Sequence, residues 1–569
     1  MERIFNLLTF LGVFCVGLTA LQAQTSQKGA VQDQEFIIQK DRVIRLPKKL
    51  RSLEKMPSLP QPKALGPLEF PVAPFFLAIP AAEITAAPAK KEWDVPNLET
   101  YPGLVRVGYG NYLSPLIEGR YQSTQTEDWQ FATKLFHQSF GKGPVTWMGE
   151  EVSKESHTEL AGQGSYFLST SELFSSLSLR RDAYRYYGED LGFVIPPNVD
   201  FAGPVFDPNT QIQGNFKLGI RDLEKVGRIG YEGALILNGF KDSFAAREQE
   251  LGFEGKGAYR PSKDLSGTVA LTYFTTDTQD REYDLNRNYL SLRPEGTYRW
   301  GDFNFSAGFA LVSENDSVEA SEPGIRLFPV IKSRYKIGEN LSVNAAISGD
   351  VQRNTYRTFV QENPFLGPSE QLLNTVTKLS FSAGVEGLVS DKLVYRAGID
   401  LRRQSNLHFF VNSYADTSRF ELVYDQEATV FQFNSSVELA LTEKYTLTTQ
   451  VDFFHYNLSN QQVAWHRPSW TLQMNQRYAP FKKLNLQANL QVMGGLQARG
   501  FGVIETKPVQ AEIVKLPALV DLQFNLDYAV SSRLSVFSTG SNLLNRRNTR
   551  WMNYPVRGIQ GVGGLSFKF

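Results

Sequence analysis

From Tyr101 to Phe569 the chain alternates between apolar and polar residues with a period of two, and few folds tolerate that pattern for so long. In Leu484-Asn485-Leu486-Gln487-Ala488-Asn489-Leu490-Gln491-Val492 the even-numbered residues are apolar and the odd-numbered ones polar. Leu341, Val343, Ala345 and Ile347 interleave with Ser342, Asn344, Ala346 and Ser348. Phe303, Phe305, Ala307, Phe309 and Leu311 repeat the pattern, as do Leu393, Tyr395, Ala397, Ile399 and Leu401 against Arg396, Asp400 and Arg402. Alternate side chains of a strand point to opposite faces. One face therefore meets a nonpolar medium and the other water.

A soluble sandwich alternates too, but three features favour a membrane barrel. The polar face carries large Asn, Gln and Arg side chains, suited to a wet lumen. Short connections, such as Arg260 to Lys263, Trp300-Gly301, Ile337 to Glu339 and Ala479 to Lys482, trade places with long ones. The long ones include Gly141 to Ser156, Gly188 to Thr210, Tyr356 to Gln371, Asn406 to Glu427 and Arg499 to Lys515. Periplasmic turns and surface loops differ in this way. Aromatics also recur just before short turns, at Tyr259, Tyr298, Tyr335, Tyr478 and Tyr528, and read as an interfacial girdle. The expected fold is all-β, a transmembrane antiparallel β-barrel of about 22 strands over residues 101–569. Its first strand is expected near Leu104–Gly110 and its last near Gln560–Phe569.

Two segments precede the barrel. Residues 1–23 read as a signal peptide, with Arg3, an apolar run from Ile4 to Leu21, and Ala23 placed for cleavage before Gln24. An uncleaved anchor is the alternative, since the run approaches helix-spanning length. The only cysteine, Cys15, falls in this run, so a processed chain has no thiol for disulfides or metal. Residues 24–100 hold ten prolines and the basic stretch Arg42 to Lys55. They read as an extended periplasmic arm, or as a plain linker. Phe36 to Ile38 and Phe70 to Ile79 are apolar enough to need a partner surface.

Little chemistry is expected. The five histidines, His137, His157, His408, His455 and His466, form no pair at metal-ligand spacing. His408 and His466 read as loop or girdle residues. No nucleophile motif stands out, so no catalytic residue, cofactor or metal is expected, and the ligand-binding residues stay unassigned. Lys and Arg balance Asp and Glu at 59 each, which gives no electrostatic reason to bind nucleic acid. Gly108-Tyr109-Gly110 is not a phosphate loop, because a strand follows, and its glycines are expected to relieve crowding. Arg180-Arg181-Asp182-Ala183-Tyr184-Arg185-Tyr186-Tyr187 and Asn545-Arg546-Arg547 read as strand ends in the headgroup zone, with rim binding of sugar or lipopolysaccharide phosphate the alternative.

The C-terminal end carries a resemblance. Ser541-Asn542-Leu543-Leu544-Asn545-Arg546-Arg547 leads to Tyr554-Pro555-Val556-Arg557-Gly558, and the chain ends Gly564-Leu565-Ser566-Phe567-Lys568-Phe569. This resembles the last two strands of TonB-dependent receptor barrels. Val107 to Tyr112 looks like the opening strand of receptor-like barrels from Bacteroidetes. The resemblance implies a Gram-negative outer membrane, with its lipid, lipopolysaccharide and barrel-assembly machinery as partners. By the two-residue period Leu565, Phe567 and Phe569 face lipid and form the membrane-insertion signal. The arm is too short and proline-rich to be the plug domain of these receptors. The expected function is therefore a plug-less, non-energised part of outer-membrane transport or secretion. A structural scaffold in an envelope assembly is one alternative, and a TonB-coupled receptor using a partner's plug is another. Residues 24–100 would contact a periplasmic or membrane protein, or seal the lumen near inward side chains such as Asp400 and Asp452.

Overall fold

The computed structural model describes residues 101–569, apart from 124–127, 148–149, 189–207, 224–226, 316–323, 369, 414–415, 417 and 502–510. The expected signal peptide, the arm and the apolar stretch Leu191 to Phe206 lie outside the described residues.

Twenty-two strands form one antiparallel sheet, each paired to its neighbours in the chain. The sheet closes because Gly103–Gly110 pairs with Gln560–Lys568, from Leu104 opposite Lys568 to Gly110 opposite Val562. The expected fold is thus present, with 22 strands in a transmembrane barrel. Short turns gather at one end and long connections at the other. Both ends of the barrel segment meet at the short-turn end, where the Gly103 N–H donates to the Phe569 carbonyl at 2.9 Å. The turn expected at Ala479 to Lys482 moves: Trp470–Phe481 runs on through Ala479 and Pro480, and the turn falls at Lys482-Lys483.

The period-two pattern sorts the faces as the physics requires. In Arg247–Tyr259, Glu248 and Glu250 are buried inside while Leu251 and Phe253 stand exposed on the outer face. Inside, charges are paired within a strand or across to another. Glu118 lies between Arg106 and Arg120, and Glu386 between Arg334 and Arg396. Asp400 pairs with Arg402, and Asp452 accepts from Gln432, Gln450 and Thr471. Strands of up to 17 residues, as in Asp284–Trp300, exceed the roughly 9–11 needed to cross a bilayer, so the wall rises past it.

The closing seam is tight. Phe537, from the strand Leu534–Ser541, lies inside over Gly108 and Gly564 and packs with Leu116 and Val562. A Cβ on Gly564 would strike the Val107 carbonyl oxygen and come within 2.7 Å of the Phe537 ring. The crowding relief expected of Gly108 is real: a Cβ there would lie 3.0 Å from the same ring. Gly564→Val should cost about 1–3 kcal/mol of barrel stability by overpacking. Urea titration followed by heat-modifiable gel mobility checks this, and an unchanged midpoint would show that the seam is not tight.

Candidate functional site

At the long-loop end the barrel's own connections meet one another. Five of them leave the ring after its fifth, seventh, thirteenth, fifteenth and twenty-first strands, so they start far apart on the circumference. They meet in one apolar cluster. Tyr186 comes from the first connection, Phe240 and Ala246 flank the second, and Tyr356, Phe359, Val360, Leu366 and Leu372 come from the third. Phe410 and Phe420 come from the fourth, and Trp551 and Tyr554 from the last. Rings lock together across the mouth. Phe365 stacks on Tyr554 at 3.5 Å between centroids, and Phe410 and Phe420 pack edge-on against Trp551 at 5.3 and 5.5 Å. The Tyr186 hydroxyl donates to the Leu366 carbonyl at 3.2 Å, and Tyr187 donates to Pro555 at 3.2 Å. Burying this many aromatic side chains supplies the driving force that holds the loops inward.

The third connection reaches into the lumen and is held by the wall. It carries a short helix, Tyr356–Glu362, capped by Thr355. Inward-facing Glu248 accepts the N–H of Tyr356 at 2.8 Å and that of Arg357 at 3.4 Å, and takes a third bond from Thr278. Glu250 pairs with Arg353 and lies 3.6 Å from Arg357. Arg287 donates to the carbonyls of Leu372 and Asn354, and Gln361 donates to Gln213 at 2.7 Å. Two buried carboxylates persist because each meets several donors.

The fourth connection is the long one expected over Asn406 to Glu427. It lies at the long-loop end, but Leu407–Asn412 and Phe420–Asp425 form a hairpin folded inward. Every residue of Leu407–Asn412 is buried. Leu407, Phe409 and Val411 pack on Ala428, Val430 and Trp465, while Phe410 on the other face joins the central cluster. Asp425 fastens its base by accepting the N–H groups of Ser459, Asn460 and Gln461 at 2.7–3.1 Å.

His408 sits in the fourth connection and His466 in the one that follows the seventeenth strand, and both are buried. His408 Nε2 is 2.9 Å from a Glu362 oxygen, and Arg467 donates to the His408 carbonyl. His466 Nδ1 donates to the Phe410 carbonyl at 2.9 Å and its Nε2 accepts the Met552 N–H at 3.2 Å. Burial pushes His466 down to about 4, against the bond to Phe410, and Arg550 adds to the push. A neutral imidazole thus bridges the fourth and last connections.

The other expected residues divide by place. Leu565, Phe567 and Phe569 are exposed on the outer face while Ser566 between them is buried. Tyr259, Tyr298, Tyr335 and Tyr528 are exposed on the outer face near the short turns, and Tyr478 is half-buried against Tyr445. Arg180 lies in the strand Ser171–Arg185 and pairs with Asp182. Asn542, in the left-handed region at φ +47°, donates to the Arg546 and Arg557 carbonyls and shapes the turn before the last strand. Of the lid residues, Tyr186 and Tyr187 read in sequence as part of a strand end, Tyr554 as part of the C-terminal resemblance, and His408 and His466 as loop or girdle residues; the structure brings Tyr186, Tyr187 and Tyr554 together in the lid.

One lid carboxyl titrates near neutrality. Burial raises Glu370 to about 8, helped by Glu421 and Asp280 and opposed by the Leu422 N–H it accepts. Its folded pKa lies above the ordinary carboxylate value. Its proton therefore favours the folded lid between about pH 4.5 and 8, and stability from this group falls as pH rises through that window. Glu370→Gln should raise hydrogen-exchange protection of lid amides much more at pH 9 than at pH 5. Equal gains at both values would refute the assignment.

No protein-family model matches the chain, and no curated protein matches it. Solved structures do. The siderophore receptor PirA from Acinetobacter baumannii superposes with a TM-score of 0.61 at 9% identity, over 82% of this chain and 80% of that one. The FrpB iron transporter from Neisseria meningitidis gives 0.62 at 9% identity, over 83% and 82%. The ferric-catecholate import receptor Fiu from E. coli gives 0.59 at 10% identity, over 83% and 82%. At such identities the likeness is one of fold, and the fold is the 22-strand barrel of TonB-dependent receptors.

Proposed function

We propose that this chain is a transport-class barrel of the Gram-negative outer membrane whose surface mouth is closed by its own loops. The observation that carries this reading is the aromatic cluster drawn from five connections around the ring. A lumen this wide leaks unless something fills it, and the cluster lies across its outer mouth. The barrel is read as plug-less and non-energised, with residues 24–100 sealing or tethering the periplasmic side and meeting a periplasmic or membrane partner there. It is read as a non-enzyme that passes or binds a solute. Likeness of fold to iron and siderophore receptors supports a transport role and leaves the solute unassigned. The same likeness favours a second reading, a TonB-coupled receptor that borrows a plug from a partner.

Replacing residues 356–371 with a short Gly-Ser turn should produce conductance steps in planar bilayers that the intact protein lacks. Truncating residues 24–100 behind the signal should add to the leak. A loop-deleted, truncated barrel that assembles and still conducts nothing would sink the transport reading and favour the scaffold. Uptake abolished by collapsing the proton-motive force would favour the energised reading.

The outward Leu565, Phe567 and Phe569 are read as the insertion signal, and the five tyrosines as the periplasmic girdle. Phe569→Ala should lower the yield of heat-modifiable barrel in outer membranes several-fold. Full yield from that variant would remove the role.

A further inference from the structure

The wall is not zipped to its full height. Gly324–Ile337 pairs from Gly324 to Tyr335 with Phe303–Glu314, Phe303 lying opposite Tyr335 and Glu314 opposite Gly324. On its other side the ladder to Leu341–Gln352 stops at Val330 opposite Ser348. Among the described residues, Gly324–Pro329 therefore has a free edge. Lys336 N–H donates to the Asp302 carbonyl at 3.0 Å, toward the Phe303–Glu314 side. Even-numbered residues of the strand thus turn their backbone groups that way, and odd-numbered ones turn theirs to the gap. Ile325 and Leu327 each offer it an N–H and a C=O, and Pro329 a C=O alone. Proline suits an edge position that need not donate. The side chains report the same vacancy. Ile325 and Leu327 are 72% and 66% exposed, against 38% for Ile331, where the neighbouring strand is in place. A cleft of about 400 Å³ opens between Arg326, Leu327 and Phe328 on one side and Val376, Lys378 and Asn406 on the other.

The missing neighbour is at hand. The pairing of Leu341–Gln352 with Thr375–Ser390 shifts register between Ser348 and Asp350, and the strand end curls into the lumen. There Val351 is buried among Phe274, Tyr289, Val312 and Phe328. Arg353 lies 3.7 Å over the Phe274 ring and pairs with Glu250. The sequence suits the opposite face equally well. Leu341, Val343, Ala345, Ile347 and Val351 occupy the outward positions of one unbroken alternation, with Ser348, Asp350 and Gln352 inward. Extending the observed register sets Val351 opposite Leu327, Gln352 opposite Arg326 and Arg353 opposite Ile325.

We propose that the edge Gly324–Pro329 is the docking site for Gly349–Arg353 of this same chain, so that the wall has a curled state and a zipped state. The structure holds the curled one. Zipping gives the backbone groups of Ile325, Leu327 and Pro329 partners and sets Val351 beside Leu327 on the outer face. It also carries Arg353 and Asn354 out of the lumen, and with them the helix Tyr356–Glu362. The strand end is then the handle by which the lid is drawn aside. Gly349 is the hinge. In the curled state a Cβ there would lie 2.5 Å from Phe328 Cδ1 and 2.9 Å from the Thr377 carbonyl oxygen, so a side chain disfavours that state. The two wall states stand on the strand geometry, and only the lid movement rests on the transport reading.

The test is a disulfide trap in outer membranes. Leu327→Cys with Val351→Cys face opposite sides of the wall in the curled state, where no disulfide can form, and sit side by side in the zipped register. Under copper-phenanthroline the pair should link slowly, over hours, in barrels that remain heat-modifiable. Gly349→Ala should raise the linking rate several-fold. Ile331→Cys with Ile347→Cys, already opposite each other in the ladder, serves as the control and should link within minutes. No link between 327 and 351 in either background, while the control pair links, overturns the proposal. Linked barrels should conduct more than reduced ones. Linking without added conductance would leave the two wall states standing and count against the lid as the closure.

Discussion

Hydrocarbon offers a backbone nothing to bond to, so a sheet that crosses a membrane must satisfy every N–H and C=O within itself. The ring closure between Gly103–Gly110 and Gln560–Lys568 answers that demand, and the rest follows from it. A closed ring of 22 strands fixes a circumference, and the circumference fixes a lumen too wide for wall side chains to fill. The seam itself is bought with small residues: Gly108 and Gly564 leave room for Phe537 inside the wall.

The lumen in turn dictates the lid. Loops long enough to reach one another across the mouth can bury aromatic faces that would otherwise stay wet. They need polar anchors on the way, because the inner wall is hydrophilic. Glu248, Glu250 and Arg287 supply these by bonding to backbone and guanidinium groups of the third connection. The anchors fix where Tyr356–Glu362 enters the lumen, while the aromatic cluster supplies the bulk of the burial. Neither is sufficient alone: the anchors reach one connection, and the cluster joins five.

Most of the barrel was legible because membrane and lumen impose opposite demands on alternate residues. Strand number, the position of the first and last strands and the inward setting of Asp400 and Asp452 all follow from that alternation. The lid was not legible for the converse reason. Leu407-His408-Phe409-Phe410-Val411-Asn412 is buried on both faces, so its pattern carries no alternation to read. The helix Tyr356–Glu362 is seven residues, too short for a helical period to show. The partners that make Glu248 and His466 informative lie 108 and 86 residues away, at Tyr356 and Met552, a separation no local pattern records. Val351 fits the outward alternation and yet lies inside, packed with Phe274, Tyr289, Val312 and Phe328 from other strands, which its own local pattern does not record.

The last connection ties the lid to the seam. Trp551 and Tyr554 lie between the final two strands, and they pack against Phe410, Phe420 and Phe365, from connections that start elsewhere on the ring. The strand that follows them makes the closing pairs with Gly103–Gly110. One stretch of chain thus serves two closures, a backbone ladder in the wall and an aromatic packing at its mouth.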